Sequence, residues 1–200
     1  MIKKIILCFA ILCGAANAET EGTKFNPFFG DKQNQLGLAI GQGFDSAELI
    51  LFKHLDVPVP YYMIAASYSQ PNTFFRLPGR QTIGFTKTLG FGHHNYGKHA
   101  VWTGHTDWQE YGNEIAVLTQ EVGFALTQRT YLGAGIGIAI QGKQNARLNT
   151  KFILPFKMVA GWRMTDSWNL ELIMQHFSNG DTGDMNYVYD FYALGVSWNF

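Results

Sequence analysis

The sequence predicts an all-β chain, a transmembrane antiparallel up-and-down β-barrel, on three observations. Period-two alternation of apolar and small or polar residues dominates from Gln35 to the C-terminus. Charged residues make up only 15% of the chain, well below an ordinary soluble domain, while hydrophobic residues reach 46% and aromatics 15%. Beyond the first eighteen residues, no apolar run is long enough for a spanning helix.

Those first eighteen residues, MIKKIILCFAILCGAANA, read as a secretory signal peptide. Lys3 and Lys4 precede an apolar run from Ile5 to Leu12, and Ala16-Asn17-Ala18 supplies the small residues of a cleavage site. Leu12 is bulky where a lipoprotein signal needs a small residue before its cysteine, Cys13. Residues 19–200 are then the barrel domain. Both cysteines, Cys8 and Cys13, leave with the signal, so the mature chain has no disulfide framework and no thiol chemistry. Removing the two signal lysines from a chain with 15 basic and 15 acidic residues leaves a formal charge of about −2. That balance argues against a nucleic-acid partner.

Strand-like runs fall near residues 35–43, 47–55, 61–69, 80–91, 113–126, 130–141, 152–164, 167–178 and 190–200. In the first, Leu36, Leu38 and Ile40 alternate with Gly37, Ala39 and Gly41. From Leu132 to Ile140 one face is Leu, Ala, Ile, Ile, Ile and the other is Gly, Gly, Gly, Ala. A sandwich would show water its second face, and a glycine stripe is wasted there. A narrow closed barrel puts small residues in its crowded interior and large apolar ones against hydrocarbon. From Leu154 to Met164 the same logic sends Leu154, Phe156, Met158, Ala160, Trp162 and Met164 outward, with Lys157 and Arg163 opposite. The last strand closes with Tyr192, Leu194, Val196, Trp198 and Phe200 on one face. That terminal aromatic resembles the C-terminal signature of bacterial outer-membrane barrels, and Trp162, Trp168 and Trp198 suit an interfacial girdle. Nine runs are one too many for an even-stranded barrel, so eight strands are expected, with ten as the alternative. Connections alternate in length: residues 179–189, 142–151 and 92–112 are long, while Thr165-Asp166 and Gln128-Arg129 are short. Long outer loops and short periplasmic turns place the 179–189 loop outside the cell.

This parity defines a candidate site. His176 and Ser178 share the lipid-facing side of an outgoing strand with Leu170, Leu172 and Met174. Asp190 opens the returning strand in phase with Tyr192 and Leu194, so it points the same way. A hairpin symmetrical about the 179–189 loop sets Ser178 opposite Asp190 and His176 diagonal to it, within reach of an imidazole between hydroxyl and carboxylate. Such a Ser-His-Asp relay suits attack on an ester carbonyl, with the Asn179 amide and backbone N–H groups around Gly180 near the oxyanion.

The pattern His176-x-Ser178-Asn179, followed by Asn186 and then Asp190, resembles that of the PagL-type lipid A 3-O-deacylases of the Gram-negative outer membrane. The strands around Gly133–Ala139 and Phe152–Met164 extend the resemblance over roughly residues 113–200. The resemblance implies an eight-stranded barrel with a metal-free, cofactor-free serine esterase site facing lipid. It implies hydrolysis of the acyl ester at the 3 position of lipid A, with lipid A or lipopolysaccharide as the substrate partner. His176 would be the base, Ser178 the nucleophile and Asp190 the orienting acid, with Asn179 at the oxyanion and Asn186 supporting the loop. Asp190 stands where the family usually carries glutamate, shorter by one methylene, which a register shift must compensate.

Other readings stand beside this one. His-x-Ser is a short motif with a high accidental rate, and both side chains also suit a polar rim at headgroup level. That reading makes the protein a non-enzymatic barrel for adhesion or envelope integrity; among enzymes, a phospholipase or acyltransferase could use a similar site. The stretch holding His93, His94, His99 and His105 carries imidazoles without cysteines or a regular carboxylate pattern, which reads as a solvated loop rather than a metal site. Pairing of two barrels into a homodimer is left open.

Overall fold

A computed structural model describes residues 25–44, 61–93, 108–110, 112–144, 148–180, 182–183 and 188–200. The expected signal peptide and the run at 47–55 lie outside these residues. The strands are β1 (Gln35–Phe44), β2 (Tyr61–Phe74), β3 (Leu77–His93), β4 (Trp108–Glu110), β5 (Asn113–Ala125), β6 (Thr130–Gln141), β7 (Phe152–Arg163), β8 (Trp168–Ser178) and β9 (Tyr189–Asn199). β4 is a three-residue strip on the outer end of β3. The other eight pair antiparallel in chain order, and β1 pairs with β9 to close the barrel. Closure leaves the spanning wall without a free sheet edge, as hydrocarbon requires.

The expected alternation is present on the walls. Leu38, Ile40, Ile83, Ile136, Ile140 and Leu172 are exposed on the outer face. Trp162, Trp168 and Trp198 lie together on the rim that holds Phe200 and the short turns. Glycines take the inner face where a bulky neighbour crosses: a Cβ on Gly161 would sit 2.1 Å from the ring of Tyr131.

β2 runs five residues beyond its expected end, through Pro71. β1 stops opposite Ser69, so Pro71 sits where β2 pairs with β3 alone. A proline is tolerated on such an edge because no ladder bond is lost there. The β2–β3 hairpin turns through Phe75 and Arg76, both left-handed with φ of 49° and 64°. These are the dihedral signs of a type I′ turn, carried by residues that give no Asn-Gly or Asp-Gly signal.

The lumen is filled by an ionic knot. Arg80 of β3 is buried and meets Glu121 of β5 through Nε and Nη2, at 3.0 and 2.8 Å. It meets Glu171 of β8 through Nη1 and Nη2, at 2.7 and 3.1 Å. Nη1 also donates to Gln35 of β1 at 2.8 Å, Tyr131 of β6 donates to Glu171 at 2.7 Å, and Lys157 of β7 reaches Glu121 at 3.4 Å. Four of the eight wall strands therefore meet at one guanidinium, and two more join through its carboxylate partners.

The mouth at the short-turn end is stopped by the chain's own residues 25–34. Phe28 and Phe29 are fully buried, and the Phe28 ring lies 4.3 Å from the Arg80 guanidinium carbon. The Phe28 carbonyl accepts bonds from Asn169 at 2.7 Å, Asn199 at 3.0 Å and Gln35 at 3.4 Å.

Arg80→Ala leaves two buried carboxylates without their main cation, which costs about 3–5 kcal/mol. A urea titration of the barrel in lipid, read by heat-modifiable gel mobility, is expected to show a lowered midpoint.

Candidate active site

The strand ends that flank the four long connections all lie opposite the rim of Phe200 and the short turns, and His176, Ser178 and Asp190 lie at that outer end. β8 delivers His176 and Ser178 to the outer face while Ile173, Gln175 and Phe177 turn into the lumen. Buried Phe177, Tyr189 and Phe191 pack edge-on or stacked beneath the site with Tyr61, so aromatic burial fixes the outer ends of β8 and β9.

The expected register is corrected by the ladder. His176, not Ser178, stands directly opposite Asp190, and Ser178 pairs instead with Leu154 of β7. The hairpin is displaced by two residues from the symmetrical arrangement, and a shift of two leaves every side chain on its original face. The displacement also supplies the reach that the shorter acid needs: His176 Nδ1 and Asp190 Oδ1 are 2.6 Å apart.

Burial divides the pair. The Asp190 side chain is 3% exposed and the His176 ring 30%. The carboxylate engages Nδ1, which leaves Nε2 as the ring nitrogen for other chemistry. Asp190 Oδ2 is buried and has no hydrogen-bond partner among the described residues. Ser178 lies two residues along the same face, so its Cβ is roughly 6–7 Å from that of His176. Among the described residues no hydrogen bond joins the two.

Asn179 is buried, and its amide points toward Asn149 Oδ1 at 3.5 Å in the 142–151 connection. Its carbonyl accepts from the Thr182 hydroxyl at 2.7 Å and the Thr182 N–H at 3.2 Å, which tightens the turn after Ser178. Gly180 takes a left-handed φ of 60°, the conformation glycine adopts most easily, and a Cβ there would lie 3.0 Å from Leu154 Cδ1. Asn186 lies outside the described residues, as do His94, His99 and His105 and the side chain of His93. Among the described residues no group of three His, Cys, Asp or Glu converges as a metal site requires.

The model of the lipid A 3-O-deacylase (PagL) family matches residues 71–199, well over half of the sequence. The chain belongs to the PagL family. The match starts inside β2 and spans the whole of His176, Ser178 and Asp190's hairpin. Among solved structures, the outer membrane enzyme PagL superposes with a TM-score of 0.53 at 16% identity, covering 83% of this chain and 99% of that one. Neisserial surface protein A gives 0.50 at 12% identity, covering 84% and 96%, and a de novo designed transmembrane β-barrel gives 0.50 at 9%, with the same coverage. At these identities the likeness is one of fold: the closed eight-stranded barrel of outer-membrane proteins. None of the curated proteins matches the chain. The PagL-family member described here is a β-barrel of the outer membrane.

The corrected register makes a direct expectation. Facing residues on antiparallel strands stand close enough for a disulfide, whereas a diagonal pair about 7–8 Å apart does not. A His176→Cys/Asp190→Cys double variant is expected to cross-link under mild oxidation, and Ser178→Cys/Asp190→Cys to remain reduced. Peptide mapping by mass spectrometry distinguishes them.

Proposed function

We propose that the protein is a serine esterase that removes the ester-linked acyl chain at the 3 position of lipid A. The observation that carries this reading is the 2.6 Å contact between His176 Nδ1 and Asp190 Oδ1 on the lipid face, with Ser178 on the same face one pleat further out. Family membership supports the substrate class.

In this reading Ser178 Oγ attacks the ester carbonyl while His176 Nε2 takes its proton. Asp190 holds the ring in the tautomer that presents Nε2 and stabilises the imidazolium. The oxyanion that forms is held by donors at the Asn179-Gly180 turn, with Asn186 supporting the loop. Collapse breaks the bond to the sugar oxygen, which leaves with the proton from His176. Water then attacks the acyl-serine, His176 accepts its proton and returns it to Ser178, and the free hydroxy fatty acid departs. The gap between Ser178 and His176 fits a substrate-free site, because catalytic hydrogen bonds often tighten only when substrate binds. Lipid A arrives laterally, since its acyl chains already lie in the leaflet that surrounds the outer face. No passage through the lumen is needed.

Wild-type protein in membranes of defined lipid A is expected to lower the lipid mass by one hydroxyacyl chain, and Ser178→Ala to leave it intact. Asp190→Asn, which disturbs the tautomer while keeping the shape, is expected to reduce turnover by roughly 10³–10⁴-fold. Unchanged lipid A with both wild type and Ser178→Ala would assign the chain to the non-enzymatic barrels. Loss of phospholipid acyl chains would redirect the assignment to a phospholipase.

A further inference from the structure

We infer that Tyr61 is a positioning residue for Asp190, holding the acid's backbone from inside the barrel; this rests on the reading of Ser178, His176 and Asp190 as the reacting groups. Tyr61 opens β2, two strands away from β9, with β1 between them. It is 2% exposed. Its hydroxyl donates to the Asp190 carbonyl at 3.1 Å and accepts from the Asp190 N–H at 3.4 Å.

The reach across β1 depends on Gly43. Gly43 stands opposite Phe191, and a Cβ placed there would lie 2.1 to 2.3 Å from three atoms of the Tyr61 ring. The ring therefore passes over the bare backbone of β1 on the lumen side and ends at β9. Edge-on packing against Tyr189 and Phe191, the two neighbours of Asp190, fixes its direction with centroid distances of 5.9 and 5.2 Å.

The hydroxyl arrives where support runs out. The β1–β9 ladder ends at the Phe44–Asp190 pair, so Asp190 is the last residue of β9 with a neighbour on that side. The N–H and C=O of one strand residue point to the same side, and both groups of Asp190 meet Tyr61 on the β1 side. They are thus turned away from β8, which makes His176 and Asp190 a narrow, non-hydrogen-bonded pair, the arrangement that brings facing side chains closest. The short contact with Nδ1 follows from that closeness. Tyr61 lies inside the wall and touches no lipid, so its effect on the reaction passes through Asp190.

The test uses the full chain folded in lipid, with Tyr61→Phe to delete only the hydroxyl and Gly43→Ala to displace the ring. Heat-modifiable mobility establishes that each barrel is closed. In Tyr61→Phe, kcat for lipid A deacylation is expected to fall about tenfold with KM unchanged, and Gly43→Ala to act in the same direction. In the Asp190→Asn background, Tyr61→Phe is expected to cause no further loss, which a general weakening of the barrel would not reproduce. A second readout needs no turnover: the low-field Nδ1–H proton resonance of His176 is expected in wild type and should move upfield in Tyr61→Phe. An unmoved resonance, a kcat within twofold of an active wild type, or an equal loss in the Asp190→Asn background overturns the inference. A moved resonance in a barrel that never deacylates lipid A keeps the positioning role and overturns the esterase reading instead.

Discussion

In hydrocarbon, no backbone N–H or C=O can be left to water, and the rest of this structure depends on that constraint. Eight strands satisfy it by closing on themselves through β1 and β9. Once the wall is closed, every side chain faces either a narrow lumen or the bilayer, and sequence parity decides which. The candidate site is a product of that division: His176, Ser178 and Asp190 occupy outward positions at the loop-bearing end, and the lumen is left to other tasks.

Those other tasks are structural. Arg80, Glu121, Glu171 and Lys157 carry two charges of each sign through the barrel axis, and their hydrogen bonds link strands far apart around the circumference. An ionic interior is costly to desolvate, so its stabilising effect depends on every member being paired. Nearer the outer end, aromatic rings replace the charges. Tyr61, Phe177, Tyr189 and Phe191 form the floor on which the ends of β8 and β9 are set, and the contact between His176 and Asp190 inherits its geometry from that floor.

The sequence made some of this legible and concealed the rest for definite reasons. Alternation from Leu132 to Ile140 and from Tyr192 to Phe200 was enough to assign inside and outside, because a pleated strand has a strict period of two. The same period cannot detect a slip of two residues, which is why parity placed His176 and Asp190 on one face yet set the wrong pair opposite each other. The turn at Phe75-Arg76 was hidden because no glycine or asparagine marks its left-handed residues. The partners of Arg80 lie 41 and 91 residues away in the chain, and nothing local to Glu121 or Glu171 names them. Tyr61 was invisible as a contributor to the site for a similar reason: Gly43, which lets its ring cross, is on a different strand, and Asp190 lies 129 residues away.

The stopper at the short-turn end has a consequence for assembly. Phe28, ahead of the first wall strand, is held by Asn169 on β8 and by Asn199, the last residue of β9. Those two anchors are 141 and 171 residues downstream, so the stopper gains them only once the tail of the polypeptide has been laid into the wall. Contacts of such long sequence separation form late and slowly. A barrel abandoned before its last two strands would therefore carry a stopper without either of these anchors.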